Sequence, residues 1–188
     1  MPESLRVWTA PNLLTIGRII LILPFLYLIN RASYGLALLV FFIASITDFI
    51  DGYIARNYNQ QSPLGRLLDP AADKLLTTAA FIVMAIPQTG IPSIPVWLAV
   101  AVVLRDVIIL LGSLVVYLIA GFKDFKPTQM GRINTFLEMG LIVFFLLFHT
   151  IGAFTSILPL CYLIVVSSVI ISGGEYLIQG INLLRKTV

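Results

Sequence analysis

The sequence predicts an all-α integral membrane protein, a bundle of about six transmembrane helices formed by one domain over residues 1–188. Three observations predict it. Only 11% of the residues are charged and 59% are hydrophobic, whereas a soluble domain of this size carries about a quarter charged residues. Mean hydropathy is +1.01, so the chain has more apolar surface than one core can hide, and the surplus must face lipid. Apolar runs of spanning length recur along the whole chain, each crossing taking roughly 20 residues.

The first span is expected at 13–30. Its lead-in, "MPESLRVWTAPNLLTIGRII", has an acid and a Trp ahead of the apolar run and no small-residue cleavage site. The segment is therefore expected to stay in the mature protein rather than be removed as a signal peptide. Pro24 lacks an amide hydrogen and is expected to kink this span. Further spans are expected at 34–56, 71–88, 94–119, 131–150 and 155–184. The second, fourth and sixth are long enough to project beyond the hydrocarbon. The breaks "NRAS", "NQQSPLGRL", "PQTGIPSIP", "GFKDFKP" and "HTIGAFTS" are rich in turn formers or polar residues.

Lys and Arg set the orientation. An even number of spans puts both termini on one side with the second-to-third and fourth-to-fifth loops. That side collects Arg6, Arg56, Arg66, Lys123, Lys126, Arg132, Arg185 and Lys186, and the other offers little beyond Arg31. The termini are expected to be cytoplasmic. The sequence pI of about 9.2 thus reports orientation; the cations form no soluble basic face, and a nucleic-acid partner is excluded. Cys161, the single cysteine, rules out an intramolecular disulfide and a thiol metal site. Trp8, Trp97 and Tyr27 read as interfacial belt residues, and His149 as an interfacial residue at the far end of the fifth span.

Charge concentrates in "TDFIDGYIARNYNQQSPLGRLLDPAADK", residues 47–74, which holds four aspartates. Asp48 and Asp51 are spaced i, i+3 near the end of the second span, and Asp69 and Asp73 i, i+4 at the start of the third. Either spacing puts both side chains on one helix face. A short loop joins the two helices, so the pairs can converge. Convergent carboxylates repel strongly at low dielectric unless cations or protons are taken up. Hard oxygen donors suit Mg²⁺, Mn²⁺ or Ca²⁺, and paired divalent metals are a known arrangement for phosphoryl chemistry. The structural alternative makes the acids helix caps and salt bridges with Arg56, Arg66 and Lys74. Acids inside a membrane are expensive and point to function, and caps do not need four at helical spacing. Gly52 and Gly65, each costing about 1 kcal/mol relative to Ala in a helix, suit a place where a bulky ligand approaches the backbone. Arg56, four residues after Gly52, shares its face and can grip a phosphate with its planar fork.

The stretch reads D-x-x-D-G-x-x-A-R, then eight residues, G, three residues, D, three residues, D, placing Asp48, Asp51, Gly52, Ala55, Arg56, Gly65, Asp69 and Asp73. It resembles the signature of the CDP-alcohol phosphatidyltransferases at every position, and the likeness runs from "PNLLTIGRI" to about Met139. The resemblance implies that Asp48, Asp51, Asp69 and Asp73 bind two divalent metal ions, Mg²⁺ or Mn²⁺, on the diphosphate of CDP-diacylglycerol. Gly52, Ala55, Arg56 and Gly65 then hold the CMP moiety. Asp73 is the implied general base, and CMP is the leaving group. A homodimer in a lipid bilayer is implied as well, with the active site on the cytoplasmic side.

Two further charged positions bear on the acceptor. Arg105 and Asp106 interrupt the fourth span, either as a structural ion pair or with the arginine facing an anionic acceptor. Arg132, in "PTQMGRINT", stands between Gly131 and Asn134 in a small, polar setting that favours phosphate binding. Within the resembling family, branches with glycerol-phosphate-type acceptors carry such a basic pair. "KPTQMGRINT" and "LRDVIIL" are similar to the CMP-forming cardiolipin synthases, which use phosphatidylglycerol, more than to the phosphatidylglycerophosphate synthases, which use glycerol 3-phosphate. Arg132 in place of lysine and Glu138 in place of glutamine depart from both branches. A divalent-cation transporter is the competing class. It calls for charge spread along a path and for repeated broken helices, whereas here the acids crowd near one face and no inverted repeat is visible.

Overall fold

The computed structural model describes the backbone of residues 10–57, 63–87, 92–120 and 128–185, and the side chains of 16–47, 74–87, 92–112 and 128–183. These residues form six α-helices: α1 (Ala10–Asn30), α2 (Tyr34–Asn57), α3 (Pro63–Ala85), α4 (Val96–Ala120), α5 (Gln129–Ile151) and α6 (Leu158–Arg185). A 3₁₀ turn at Thr155–Ile157 leads into α6. No strand occurs among the described residues. Two helical stretches there, Gln129–Ile151 and Thr155–Leu183, are long and apolar enough to cross a membrane.

The helices follow the apolar runs, with one instructive difference. The third begins at Pro63, well ahead of residue 71, where the apolar run starts. Proline is favoured in a first helical turn, where its missing N–H costs nothing, so the "PLGRLLDP" stretch enters the helix instead of remaining loop. Pro24 lies inside α1, which runs unbroken from Ala10 to Asn30.

The chain divides into two compact units. In the first, 1–93 with 146–152, α1 packs against both α2 and α3. Phe25 and Ile29 of α1, Ala37, Phe41 and Ala44 of α2, and Leu76, Ala80, Phe81 and Met84 of α3 are buried. The α2 set recurs at i, i+4 and i+7, one stripe of a helix. Phe25 and Phe41 meet with ring centroids 6.0 Å apart and planes inclined by 44°. The end of α5 belongs here too. His149 lies 5.4 Å from the buried Tyr34 ring, and Thr150 approaches Gly35 so closely that a Cβ there would sit 3.2 Å from Thr150 Cγ2.

The connection from α1 to α2 is a Schellman turn. Ser33 N–H donates to Leu28 O at 2.9 Å and Ala32 N–H to Ile29 O at 2.9 Å, closing the last carbonyls of the helix. Ala32 takes the left-handed position at φ 53°, which glycine usually fills.

In the second unit, 94–145 with 153–188, α4 packs on α6. Leu98 and Val102 of α4, Leu141, Ile142 and Phe145 of α5, and Val165 and Val169 of α6 are buried. The opposite faces are apolar as well: Leu104, Leu110, Leu111, Leu163, Ile170 and Ile178 are exposed. Hydroxyls within the helices turn back on their own carbonyls. Ser45 donates to Phe41 O at 2.9 Å, Thr150 to Leu146 O at 2.7 Å and Ser167 to Leu163 O at 2.8 Å, each hydroxyl satisfied by the carbonyl one turn earlier.

Candidate active site

The acid signature falls on helical backbone throughout. Asp48, Asp51, Gly52, Ala55 and Arg56 lie in the last turns of α2, and Gly65, Asp69 and Asp73 in α3. Gly65, Asp69 and Asp73 recur at i, i+4 and i+8, and Asp48, Asp51, Gly52 and Ala55 at i, i+3, i+4 and i+7, so helix geometry alone aligns each set along one face. Their side chains lie outside those described. The donor set these positions offer, four carboxylates on two helices of one unit, fits a hard divalent cation.

A residue that sequence reasoning did not weigh sits in the same unit. Arg18 of α1 is only 1% exposed, although it is a cation in the middle of an apolar helix. Counting outward from the α1–α2 turn, Arg18 is level with about residue 46 of α2, within one turn of Asp48. A guanidinium buried this deeply is sustained only by hydrogen bonds and opposite charge. The signal was available in the sequence: an arginine eight residues into α1 is as costly there as the aspartates are in their own helices.

The second unit assembles the other charged positions. Arg105 is buried in α4, 6% exposed. Its Nη1 donates to Asp106 Oδ1 at 2.7 Å and its Nη2 to Ser172 Oγ of α6 at 2.5 Å. The ion pair with Asp106 is therefore formed, and α6 supplies the rest of the mounting. The Arg105 guanidinium carbon lies 5.5 Å from the centre of the Tyr176 ring, within cation–π range. Gly173 leaves room for the arginine stem, since a Cβ there would lie 3.8 Å from Arg105 Cγ. Arg105 Nε is buried without a hydrogen-bond partner among the described residues.

Arg132 is exposed in the first turn of α5. Thr128 caps that turn: its Oγ1 accepts from Gly131 N–H at 2.9 Å and its carbonyl from Arg132 N–H at 3.3 Å. One turn further on, Asn134 Nδ2 donates to Glu138 Oε1 at 2.6 Å, and Ser168 Oγ of α6 donates to Asn134 Oδ1 at 2.7 Å. Asn134 and Glu138 are completely buried. The carboxylate at 138 thus has a built hydrogen-bond partner four residues earlier on the same helix.

A model of the CDP-alcohol phosphatidyltransferase family matches residues 8–171. The chain belongs to this family. It is accordingly a phosphatidyltransferase, and the family is generally dependent on divalent metal. Curated relatives of two kinds resemble it. A CDP-diacylglycerol–glycerol-3-phosphate 3-phosphatidyltransferase of Rickettsia felis is 36% identical over 141 residues, covering 69% of this chain and 70% of the relative. A CMP-forming cardiolipin synthase of Rattus norvegicus is 36% identical over 151 residues, covering 72% of this chain and 49% of the relative. A putative cardiolipin synthase of Mycobacterium tuberculosis is 38% identical over 134 residues, covering 70% and 61%. The chain thus spans about half the length of the rat relative and under two thirds of the mycobacterial one.

Proposed function

We propose that the chain is a single membrane-embedded catalytic domain that transfers the phosphatidyl group of CDP-diacylglycerol to the hydroxyl of a glycerol-phosphate-type acceptor, releasing CMP. The observation that carries this reading is the complete acid signature, Asp48 to Asp73, set in helical register on α2 and α3. The outward apolar faces of the helices support about six membrane crossings. The Lys and Arg distribution supports termini and active site on the cytoplasmic side, where a nucleotide and a bilayer lipid meet.

In this reading Asp48, Asp51, Asp69 and Asp73 hold two Mg²⁺ or Mn²⁺ ions, which supply charge neutralisation for the diphosphate and for the departing CMP. Gly52, Ala55 and Gly65 let the CMP moiety lie against helix backbone, and Arg56 grips its phosphate. Asp73 takes the proton from the acceptor hydroxyl. The acceptor oxygen then forms a bond to the β-phosphorus, the bond from that phosphorus to the bridging oxygen breaks, and the electron pair leaves with CMP. Arg105 and Arg132 take the phosphate of the acceptor; the buried Nε of Arg105 supports this, being a donor that the ion pair with Asp106 leaves over. The working unit is a homodimer.

The acceptor is phosphatidylglycerol and the product cardiolipin, on the likeness of "INT" and "LRDV" and of the rat and mycobacterial relatives. The rickettsial relative, named for glycerol 3-phosphate, supports the second reading, a phosphatidylglycerophosphate synthase. Purified protein supplied with CDP-diacylglycerol and each acceptor in turn tests both, with CMP and the lipid product measured. No CMP with either acceptor overturns the proposed reaction; preference for glycerol 3-phosphate exchanges the first acceptor for the second.

A further inference from the structure

We infer that Tyr176 is the positioning residue of the acceptor pocket: it braces Arg105 with its ring and the first turn of α5, which carries Arg132, with its hydroxyl. The inference rests on the proposed acceptor role of those two arginines.

Three features of the second unit carry it. The Arg105 guanidinium lies over the Tyr176 ring, so the ring forms one wall of the arginine's mounting, with Ser172 a turn earlier on the same helix forming another. Beyond the ring, the phenol oxygen accepts the N–H of Thr128 at 3.3 Å, and Thr128 caps α5 through Gly131. Finally, Gly131 is shaped for this tyrosine. A Cβ at 131 would lie 2.6 Å from the Tyr176 hydroxyl and 2.9 Å from Cε2, so the ring would have to shift, and 3.0 Å from Thr128 Oγ1, a tight contact. Gly131 also sits inside a helix, at φ values any residue could adopt. Its missing side chain is therefore explained by the tyrosine rather than by backbone conformation.

A rigid aromatic side chain loses little entropy on being fixed. Held at both ends, it converts two arginines on separate helices into a pair of set spacing. Positioning of this kind acts on the binding of one substrate. The diphosphate substrate is assigned to other residues and should not feel it.

The test uses the full-length enzyme with Tyr176→Phe, Gly131→Ala and the double variant, and measures KM for acceptor and for CDP-diacylglycerol separately. Glycerol 3-phosphate and phosphatidylglycerol are both supplied, and the one that is turned over carries the measurement. Tyr176→Phe removes one neutral hydrogen bond and should raise the acceptor KM several-fold, as such a bond contributes about 1 kcal/mol. Gly131→Ala should raise it further by pushing the ring from Arg105. The double variant should bind acceptor better than Gly131→Ala alone, because the atom in closest conflict has gone. KM for CDP-diacylglycerol should stay constant, and detergent gel filtration with thermal unfolding confirms that each variant is folded. Equal rises for both substrates, or no rescue in the double variant, overturn the inference. Arg105→Ala and Arg132→Ala are measured alongside. If they raise the acceptor KM while the Tyr176 and Gly131 variants do not, Tyr176 positions nothing and the acceptor pocket stands. If the arginine variants leave that KM unchanged, the acceptor assignment falls and the role of Tyr176 with it.

Discussion

The acids of α2 and α3 and the cations of α4 and α5 are brought to their positions in opposite ways. Each acid pair is a local object: two carboxylates one turn apart on a single helix, aligned by the helical repeat itself. The cations have no such local rule. Arg105 and the turn bearing Arg132 are 27 positions apart on different helices, and it is α6, through Ser172, Gly173 and Tyr176, that mounts the first and touches the second. A site built by spacing is robust to changes elsewhere in the bundle, whereas a site built by packing depends on residues that never meet the ligand.

Metal removal is the strongest blow that can be struck at the local half of this comparison. EDTA should stop turnover completely, Mg²⁺ or Mn²⁺ should restore it, and Zn²⁺ should do so poorly, since the donors are carboxylates without His or Cys. Undiminished CMP release by protein shown to be metal-free by elemental analysis would remove the two-metal assignment.

Replacing one acid comes next. An amide in Asp73→Asn can neither accept the proton nor ligate as an anion, so kcat should fall by at least about 10²–10⁴-fold, the usual contribution of a general base. The variant should remain folded in detergent, because it relieves repulsion among the acids. Near-normal kcat would end the general-base role.

These two outcomes concern the part of the proposed site that was legible in the sequence. The acids, the glycines and Arg56 announce themselves because helical spacing is visible in a string of letters and because charge in an apolar chain is conspicuous. The six helices were legible for the same reason, with their ends set by the turn formers between them. The missed features have physical causes. The early start of α3 was hidden because Pro63 was read as a loop residue, although proline suits a first turn. Arg18 was visible as a buried-cation candidate, yet only the packing of α1 on α2 and α3 places it beside the acid helices. Tyr176 could not be found at all. Its meaning lies in the gap at Gly131, and no spacing rule relates positions 131 and 176.

Arg105→Ala and Arg132→Ala probe the packed half. A hydrogen bond to a charged group contributes about 1.5–3 kcal/mol, so each should raise the acceptor KM by about one to two decades while that for CDP-diacylglycerol changes little. Arg105→Ala should in addition lower stability, since it leaves the half-buried Asp106 without the Nη1 contact at 2.7 Å; Arg132, exposed, should not. Loss of affinity for both substrates alike would make the pair structural. A split between the two variants, with kinetics changed in both and melting temperature in one only, would show that mounting and binding are separable.

The smallest effect is expected in the other unit, at the turn that joins α1 to α2. Ala32 occupies the left-handed position of a Schellman turn, φ 53°, where the Cβ crowds the following carbonyl at a cost of about 1–2 kcal/mol relative to right-handed backbone. Glycine escapes this cost, and the turn's hydrogen bonds, Ser33 to Leu28 and Ala32 to Ile29, are made by the backbone and survive the change. Ala32→Gly should therefore raise the melting temperature slightly, the gain held to about 1 kcal/mol or less by the greater freedom of glycine in the unfolded chain. Because the turn lies at the end of α2 opposite the acids and takes no part in the Arg105 mounting, both KM values should be unchanged. A stability gain accompanied by a shift in either KM would show that the spacing of α1 and α2 reaches the acid helices. The local half would then depend on packing after all.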